Sequence, residues 1–365
     1  MLIDIIAGAR PNFMKIAPIV EALELRAAAG GTLRYRLIHT GQHYDRNMSG
    51  AFFEQLGIPE PAVNFGVGSG TQGEQTAGIM IAYERLLAEQ PSQLCLVVGD
   101  VTSTMACAIT AKKACIPVAH VEAGIRSGDL TMPEEINRMA TDALTDYFFT
   151  TSETANANLW RLGIPDERIH FVGNTMIDTL LKQRPAFTAP ACWKTLGLAS
   201  KSYFVLTLHR PANVDDSNKL RDLLQAIIEH SRGKALVFPV HPRTAKILAD
   251  AGINDPALKM IEPLSYLEFN YLVEHAFGVI TDSGGITEET TVLGVPCLTL
   301  RDNTERPETV TMGTNELVGT DPAAIPPVLH RLFAGQWKRG TIPPMWDGKT
   351  GQRIVSILEI VLARR

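Results

Sequence analysis

The sequence predicts an α/β protein of two doubly wound, Rossmann-like parallel-sheet domains, and three observations carry the prediction. The chain has 365 residues, a little over two domains at about 150 residues each. Apolar residues make up 45% and charged residues 20%, the balance of an ordinary globular enzyme. Short, continuously apolar runs alternate with helical patterns, which is how parallel strands covered on both faces read.

Taken in order, the first series of strand-like runs is Leu2–Ala7, Tyr35–His39, Leu94–Val98, Pro117–Val121 and Tyr147–Thr150. A second series follows at Tyr203–Leu208, Ala235–Val240, Gly278–Thr281 and Pro296–Leu300. The stretch 171–199, rich in Pro, Ala and Thr, separates them. The break falls near Gly173, giving domains 1–172 and 173–351. Beyond them Ile354, Ile357, Leu358, Val361 and Leu362 recur at helical spacing, so residues 352–365 read as a closing helix that packs back on the first domain. The opening MLIDIIAGARP has no basic leader and too short an apolar stretch for a signal peptide; it reads as a first strand running into a loop. No run approaches the ~18 apolar residues that span a bilayer.

Charge and cysteines narrow the function. With 34 Lys and Arg against 39 Asp and Glu, the net charge is −5. That argues against a duplex nucleic-acid binder but leaves room for a local basic pocket for a small polyanion. The five cysteines, Cys95, Cys107, Cys115, Cys192 and Cys297, form no CxxC pair and read as reduced, buried thiols of a cytoplasmic protein.

Ligands of open α/β sheets bind beyond the carboxyl ends of the strands, and polar clusters recur at those ends here. Gly8-Ala9-Arg10-Pro11-Asn12 with Lys15, Gln42-His43, Gly99-Asp100 and His120-Val121-Glu122 follow strands of the first series. His209-Arg210, His241-Pro242-Arg243, Thr281-Asp282-Ser283-Gly284-Gly285 and the run from Arg301 to Glu308 follow strands of the second. Together they suggest a cleft with both walls polar. The sharpest is Ser283-Gly284-Gly285, a strand end turning into a helix. Glycines admit close backbone approach, and the helix start offers free N–H groups and a positive dipole end to an anion such as a pyrophosphate. Glu288 or Glu289, a turn on, can accept hydrogen bonds from vicinal hydroxyls.

The carboxylates Asp100, Glu122, Glu134 and Glu135 are candidates for proton transfer. Glu134 and Glu135 also follow Pro133 at a helix start, where acids cap. Arg138 lies one turn after Glu134 on the same face, as its ion-pair partner or as a phosphate ligand. The loop after the first strand, Gly8-Ala9-Arg10-Pro11, lacks GxGxxG and its Pro11 blocks one amide, and the chain has no GxxxxGK[ST], HExxH or GxSxG pattern, so no nicotinamide, catalytic metal or serine nucleophile is expected.

These strings resemble one family. GARPNFMKIAPI, TGQH, GDVTST, HVEAGIRSGD, PEEINR, LHRPANVD, PVHPR, TDSGGITEE and RDNTERPETV are similar, over nearly the whole chain, to the non-hydrolysing UDP-N-acetylglucosamine 2-epimerases, two-domain GT-B enzymes with a central cleft. The resemblance implies reversible inversion at C2 of UDP-N-acetylglucosamine to UDP-N-acetylmannosamine, without metal or redox cofactor. It implies elimination of UDP to a 2-acetamidoglucal and re-addition to the other face, in a homodimer serving a cell-surface polysaccharide pathway. Asp100, Glu122, Glu134 and His209 match the family's catalytic positions. Arg10, Lys15, Arg138, Ser283, Gly284, Gly285 and Glu289 match nucleotide-sugar contacts, with Glu289 at the ribose. Phe269 matches the position beside uracil, Arg306 a phosphate-side or allosteric-network contact, Gln42 a site for a second, activating substrate molecule. His43 and His241 join the substrate-binding set. The QHYDRNMS and MPEEINR strings are also similar to epimerases of UDP-2,3-diacetamido-2,3-dideoxy-glucuronate. A GT-B glycosyltransferase would share the fold and nucleotide site without needing three carboxylates at C2. A non-catalytic nucleotide-sugar binding protein would bind without turnover.

Overall fold

A computed structural model describes residues 1–41, 53, 56–240, 245, 247, 248 and 252–363, and of Arg10, Pro211 and Ala212 the backbone only. The chain divides into two compact units, Met1–Thr179 with Pro344–Arg365, and Leu180–Pro343. The first unit extends past Gly173 because the next helix is bonded into it. Thr179 Oγ1 donates to Met14 O at 2.6 Å and Gly351 N donates to Asp178 Oδ2 at 2.8 Å.

The first unit holds a seven-stranded parallel sheet in the order β3-β2-β1-β4-β5-β6-β7. Its strands are β1 (Leu2–Ala7), β2 (Arg34–His39), β3 (Val63–Asn64), β4 (Leu94–Val98), β5 (Val118–Val121), β6 (Tyr147–Thr150) and β7 (Ile169–Phe171). The central β1 and β4 are buried along their length, as apolar runs between helical layers must be. The one charge in β1, Asp4, is fully buried and held bidentately by Arg36 at 2.8 and 2.9 Å. The closing helix, Thr350–Ala363, lies against helix Arg10–Ala28. Gly351 makes that approach possible, since a Cβ there would sit 2.3 Å from Pro18 O.

The second unit repeats the plan with six parallel strands in the order β10-β9-β8-β11-β12-β13. They are β8 (Tyr203–Thr207), β9 (Ala235–Pro239), β10 (Leu258–Ile261), β11 (Gly278–Thr281), β12 (Cys297–Thr299) and β13 (Asn315–Leu317). In each sheet the order reverses once, between β1 and β4 and between β8 and β11. That is where an open α/β sheet leaves a crevice at its carboxyl edge. The edge strands β3, β7, β10 and β13 were not among the runs expected from sequence; they are two to four residues long. Of the cysteines, Cys95, Cys107 and Cys297 are buried as expected, but Cys115 is exposed and Cys192 half-buried. Cys115 sits in a turn after helix Thr102–Lys113 with φ +59°, so its apolar neighbours do not cover it. Among the described residues no helix is long and apolar enough to cross a membrane.

Candidate active site

The switch point of the first unit gathers two carboxylates and two cations. Gly99-Asp100 follows β4, and Gly99 takes φ +69°, a conformation glycine adopts without strain. Asp100 accepts a hydrogen bond from Arg138 Nη1 at 2.5 Å, and its backbone carbonyl accepts from Asn137 Nδ2 at 2.8 Å. Glu122, on the turn after β5, accepts from Lys15 Nζ at 2.6 Å. A Cβ built on Gly99 would lie 3.1 Å from Lys15 Nζ and 3.6 Å from Glu122 Oε2, so the Lys15–Glu122 pair abuts the peptide that carries Asp100. Asn12 braces the start of helix Arg10–Ala28 by accepting from Ala9 N at 3.0 Å and donating to Val98 O at 2.9 Å.

The structure corrects one pairing. Arg138 pairs with Asp100 and Glu135, at 2.5 and 2.8 Å, and not with Glu134. Glu134 is exposed, whereas Glu135 is buried. Burial opposes ionisation of Glu135, but the Ser127 and Gly128 amides and Arg138 outweigh it and hold its carboxyl below the usual range. Glu135 therefore fastens the 127–128 loop to Arg138, and it does so from a position that sequence alone assigns to either capping or catalysis.

The switch point of the second unit is built around Asp282, which follows β11 and is fully buried. It accepts from the backbone N–H of His209 and of Arg210 at 3.0 and 2.9 Å, and from Asn213 Nδ2 at 3.1 Å. His209 Nδ1 faces Asp282 Oδ1 at 2.7 Å while its side chain is 61% exposed. The ring is thus anchored through Nδ1, and Nε2 is the nitrogen left for a ligand. Burial opposes ionisation of Asp282, but His209 and these donors keep its carboxyl below the usual range. Asp282 was quoted in a motif without a role; its partners lie more than 60 residues away in sequence, so no local spacing announces it.

Helix Gly284–Leu293 starts beside it, with Ser283 at the N-cap position making no side-chain capping bond. A Cβ on Gly284 would come within 2.5 Å of Glu305 Oε1, whereas the space over Gly285 is open. Glu305 is held by Arg301 at 2.6 Å; burial opposes its ionisation, yet Arg301 and Arg306 bring its carboxyl down to about 2. The two glutamates left open by sequence have separate partners. Glu288 is paired with Arg306 at 2.7 Å. Glu289 lies beside Asn270, at 3.5 Å, and Tyr266. Phe269, on helix Tyr266–His275, is half-buried against an apolar cluster that includes Trp193. Gln42, His43 and His241 lie outside the described residues, as does the Arg10 side chain. No group of three or more metal-ligating side chains occurs among the described residues.

Two parallel-sheet units, each with a polar cluster at its strand-order reversal, define an open α/β protein of the doubly wound class, whose ligands bind at that edge. The family model for UDP-N-acetylglucosamine 2-epimerase matches residues 25–359. The UDP-N-acetylglucosamine 2-epimerase of Methanocaldococcus jannaschii is 42% identical over 98% of this chain and 99% of its own. The UDP-2,3-diacetamido-2,3-dideoxy-D-glucuronate 2-epimerase of Pseudomonas aeruginosa is 40% identical over 87% of this chain and 88% of its own. Among solved structures, the M. jannaschii enzyme in complex with UDP-GlcNAc and UDP superposes with a TM-score of 0.88 at 41% identity, covering 99% of this chain and all of that one. The protein therefore belongs to the UDP-N-acetylglucosamine 2-epimerase family, and its enzyme class is that of the epimerases.

Proposed function

We propose that the protein interconverts UDP-N-acetylglucosamine and UDP-N-acetylmannosamine by non-hydrolysing inversion at C2. The observation that carries this reading is the convergence on Gly99 of two carboxylates, Asp100 and Glu122, each paired with a cation. C2–H is a weak acid, so a positioned carboxylate must take the proton while the C1–O bond breaks and its electron pair leaves with UDP. The product is a 2-acetamidoglucal with a C1–C2 double bond. UDP then re-adds at C1 and an acid returns a proton to the opposite face of C2, so atoms and charge balance over the cycle. Asp100, Glu122 and Glu134 supply these proton transfers, with Arg138 and Lys15 holding Asp100 and Glu122 in place through their ion pairs.

The nucleotide belongs to the second unit. Gly284 and Gly285 offer N–H groups to the diphosphate, Ser283 lends its hydroxyl beside them while its own N–H donates to Thr281 Oγ1 at 3.0 Å, and His209 Nε2 attends the leaving oxygen. Glu289 accepts from the ribose hydroxyls, and Phe269 flanks the uracil. The product would feed a transferase that builds N-acetylmannosamine into a polysaccharide, and the working form is a homodimer. A second reading, inversion of UDP-2,3-diacetamido-2,3-dideoxy-glucuronate, is favoured by the 40% identity to the P. aeruginosa enzyme.

Proton NMR of the protein with UDP-N-acetylglucosamine in D2O tests the reading. UDP-N-acetylmannosamine with deuterium at C2 of both sugars is expected. Free N-acetylmannosamine with UDP would move the protein to a hydrolysing reaction. Absence of C2 exchange, with exchange on the diacetamido-uronate instead, would establish the second reading.

A further inference from the structure

Asp142 has no role in the chemistry above, yet it gathers the turn that bears Glu122. It is buried on helix Pro133–Leu144. Its carboxylate accepts from His120 at 2.7 Å, from Gly124 N at 3.0 Å and from Arg126 at 2.7 Å. Those donors come from either side of Glu122 in the run His120-Val121-Glu122-Ala123-Gly124-Ile125-Arg126. Glu122 has φ +70°, a left-handed conformation that costs a non-glycine residue about 1 kcal/mol or more. Something must hold it, and Asp142 closes the loop around it. Gly124 is also left-handed, and a Cβ there would sit 2.4 Å from Ala155 O on helix Glu153–Arg161, so the turn has no room to relax toward that helix.

The second tie runs to Asp100. His120 is fully buried, and its Nε2 lies 2.9 Å from Gly99 O. A carbonyl oxygen only accepts, so Nε2 is the donor to Gly99 O, while Nδ1 faces the Asp142 carboxylate. One buried ring therefore joins helix Pro133–Leu144 to the peptide immediately before Asp100. The same helix reaches Asp100 directly through Asn137 and Arg138. We infer that Asp142 and His120 are a positioning pair that sets the backbone beneath both Asp100 and Glu122, fixing one carboxylate relative to the other. The inference rests on the proposed function, because it takes those two carboxylates as the proton-transfer groups.

The test compares His120→Asn with His120→Gln in the full chain. Asparagine keeps a donor at the Nδ1 position toward Asp142 but does not reach Gly99 O; glutamine places a donor near the Nε2 position. Small misplacements of catalytic groups cost on the order of 10²-fold. We expect His120→Asn to lose about 100-fold in kcat for UDP-N-acetylglucosamine, with KM and UDP affinity within about twofold of wild type. His120→Gln is expected to recover most of that loss. Amide exchange in segment 98–102 should accelerate in His120→Asn and stay near wild type in His120→Gln. Wild-type kcat and protection in His120→Asn would overturn the inference. So would equal losses in both variants that track their melting temperatures, which is what a structural role alone produces. Should His120→Asn fail to fold, His120→Gln decides: kcat within about tenfold of wild type and retained protection support the tie, and loss of both overturns it. Inactivity of the wild-type chain would count against the proposed function, while exchange at 98–102 would still report on the tie.

Discussion

Glu289 offers a test of the nucleotide site that needs no turnover. It is 4% exposed, and burial pushes its carboxyl from 4.5 up to about 7, partly offset by Tyr266 and Asn270. In the unfolded chain the same group ionises near its ordinary value. Between the two values the folded protein holds a proton that the unfolded chain has released, so stability falls as pH rises from about 4.5 to about 7 and is flat above. At about 1.4 kcal/mol per unit the full cost is about 3 kcal/mol. Glu289→Gln removes the titration. The stability difference between variant and wild type should shift in the variant's favour by about 3 kcal/mol between pH 4.5 and pH 7.5, read by urea unfolding. A difference that does not change with pH would refute the reasoning.

Binding supplies the second half of that argument. Ribose hydroxyls that donate to Glu289 favour its ionised form and lower its pKa in the complex. Near pH 6 the empty site is largely protonated, so UDP binding should expel up to one proton. Affinity should then rise with pH and level off above about 7. Calorimetry in two buffers of different ionisation enthalpy counts that proton directly. Glu289→Gln should release none. Equal proton counts in wild type and variant would remove Glu289 from the ribose contact.

Three further outcomes follow from particular contacts. Asp100→Asn should lower kcat by about 10²–10⁴, with UDP affinity measured by calorimetry unchanged, because the nucleotide contacts proposed lie in the other unit. Gly99→Ala forces a left-handed backbone at about 1–2 kcal/mol and sets a methyl 3.1 Å from Lys15 Nζ; melting temperature should fall modestly and kcat steeply. Glu305, with its carboxyl at about 2, contributes stability that is fully present above 4.5 and lost as pH falls toward 2. Glu305→Gln should therefore lose up to about 3 kcal/mol at neutral pH and little at pH 2, checked by denaturant unfolding at both.

The central strands were legible because they are buried on both faces. Leu2–Ala7, Leu94–Val98, Tyr147–Thr150 and Gly278–Thr281 coincide with the observed strands. The edge strands were not, since two to four half-covered residues carry no apolar run to read. Placement of polar clusters at strand ends was legible from the same periodicity. Pairing within the clusters was not. Arg138 stands four residues from Glu134 and three from Glu135, both helical neighbours, and the 127–128 loop decides between them by offering its amides to Glu135. Glu288 and Glu289 are adjacent residues with separate partners, Arg306 for one and Asn270 and Tyr266 for the other, and those partners come from distant segments.

Asp142 and Asp282 show how one device serves two ends. Each is buried, held below the ordinary carboxylate range despite burial, and bound to an imidazole Nδ1 at 2.7 Å and to backbone amides of a strand-end turn. Each fixes a turn at the carboxyl edge of its sheet, because losing one donor would leave a buried charge incompletely paired, at several kcal/mol. What differs is the other side of the ring. His120 is fully buried and spends Nε2 on Gly99 O, so it can position but cannot touch a ligand. His209 is 61% exposed, and the same anchoring leaves its Nε2 oriented for chemistry. The family resemblance marks only the second histidine as catalytic, a proposal with which its exposed Nε2 is consistent; the buried first is inferred to position, a role that its place in the HVEAG string does not disclose.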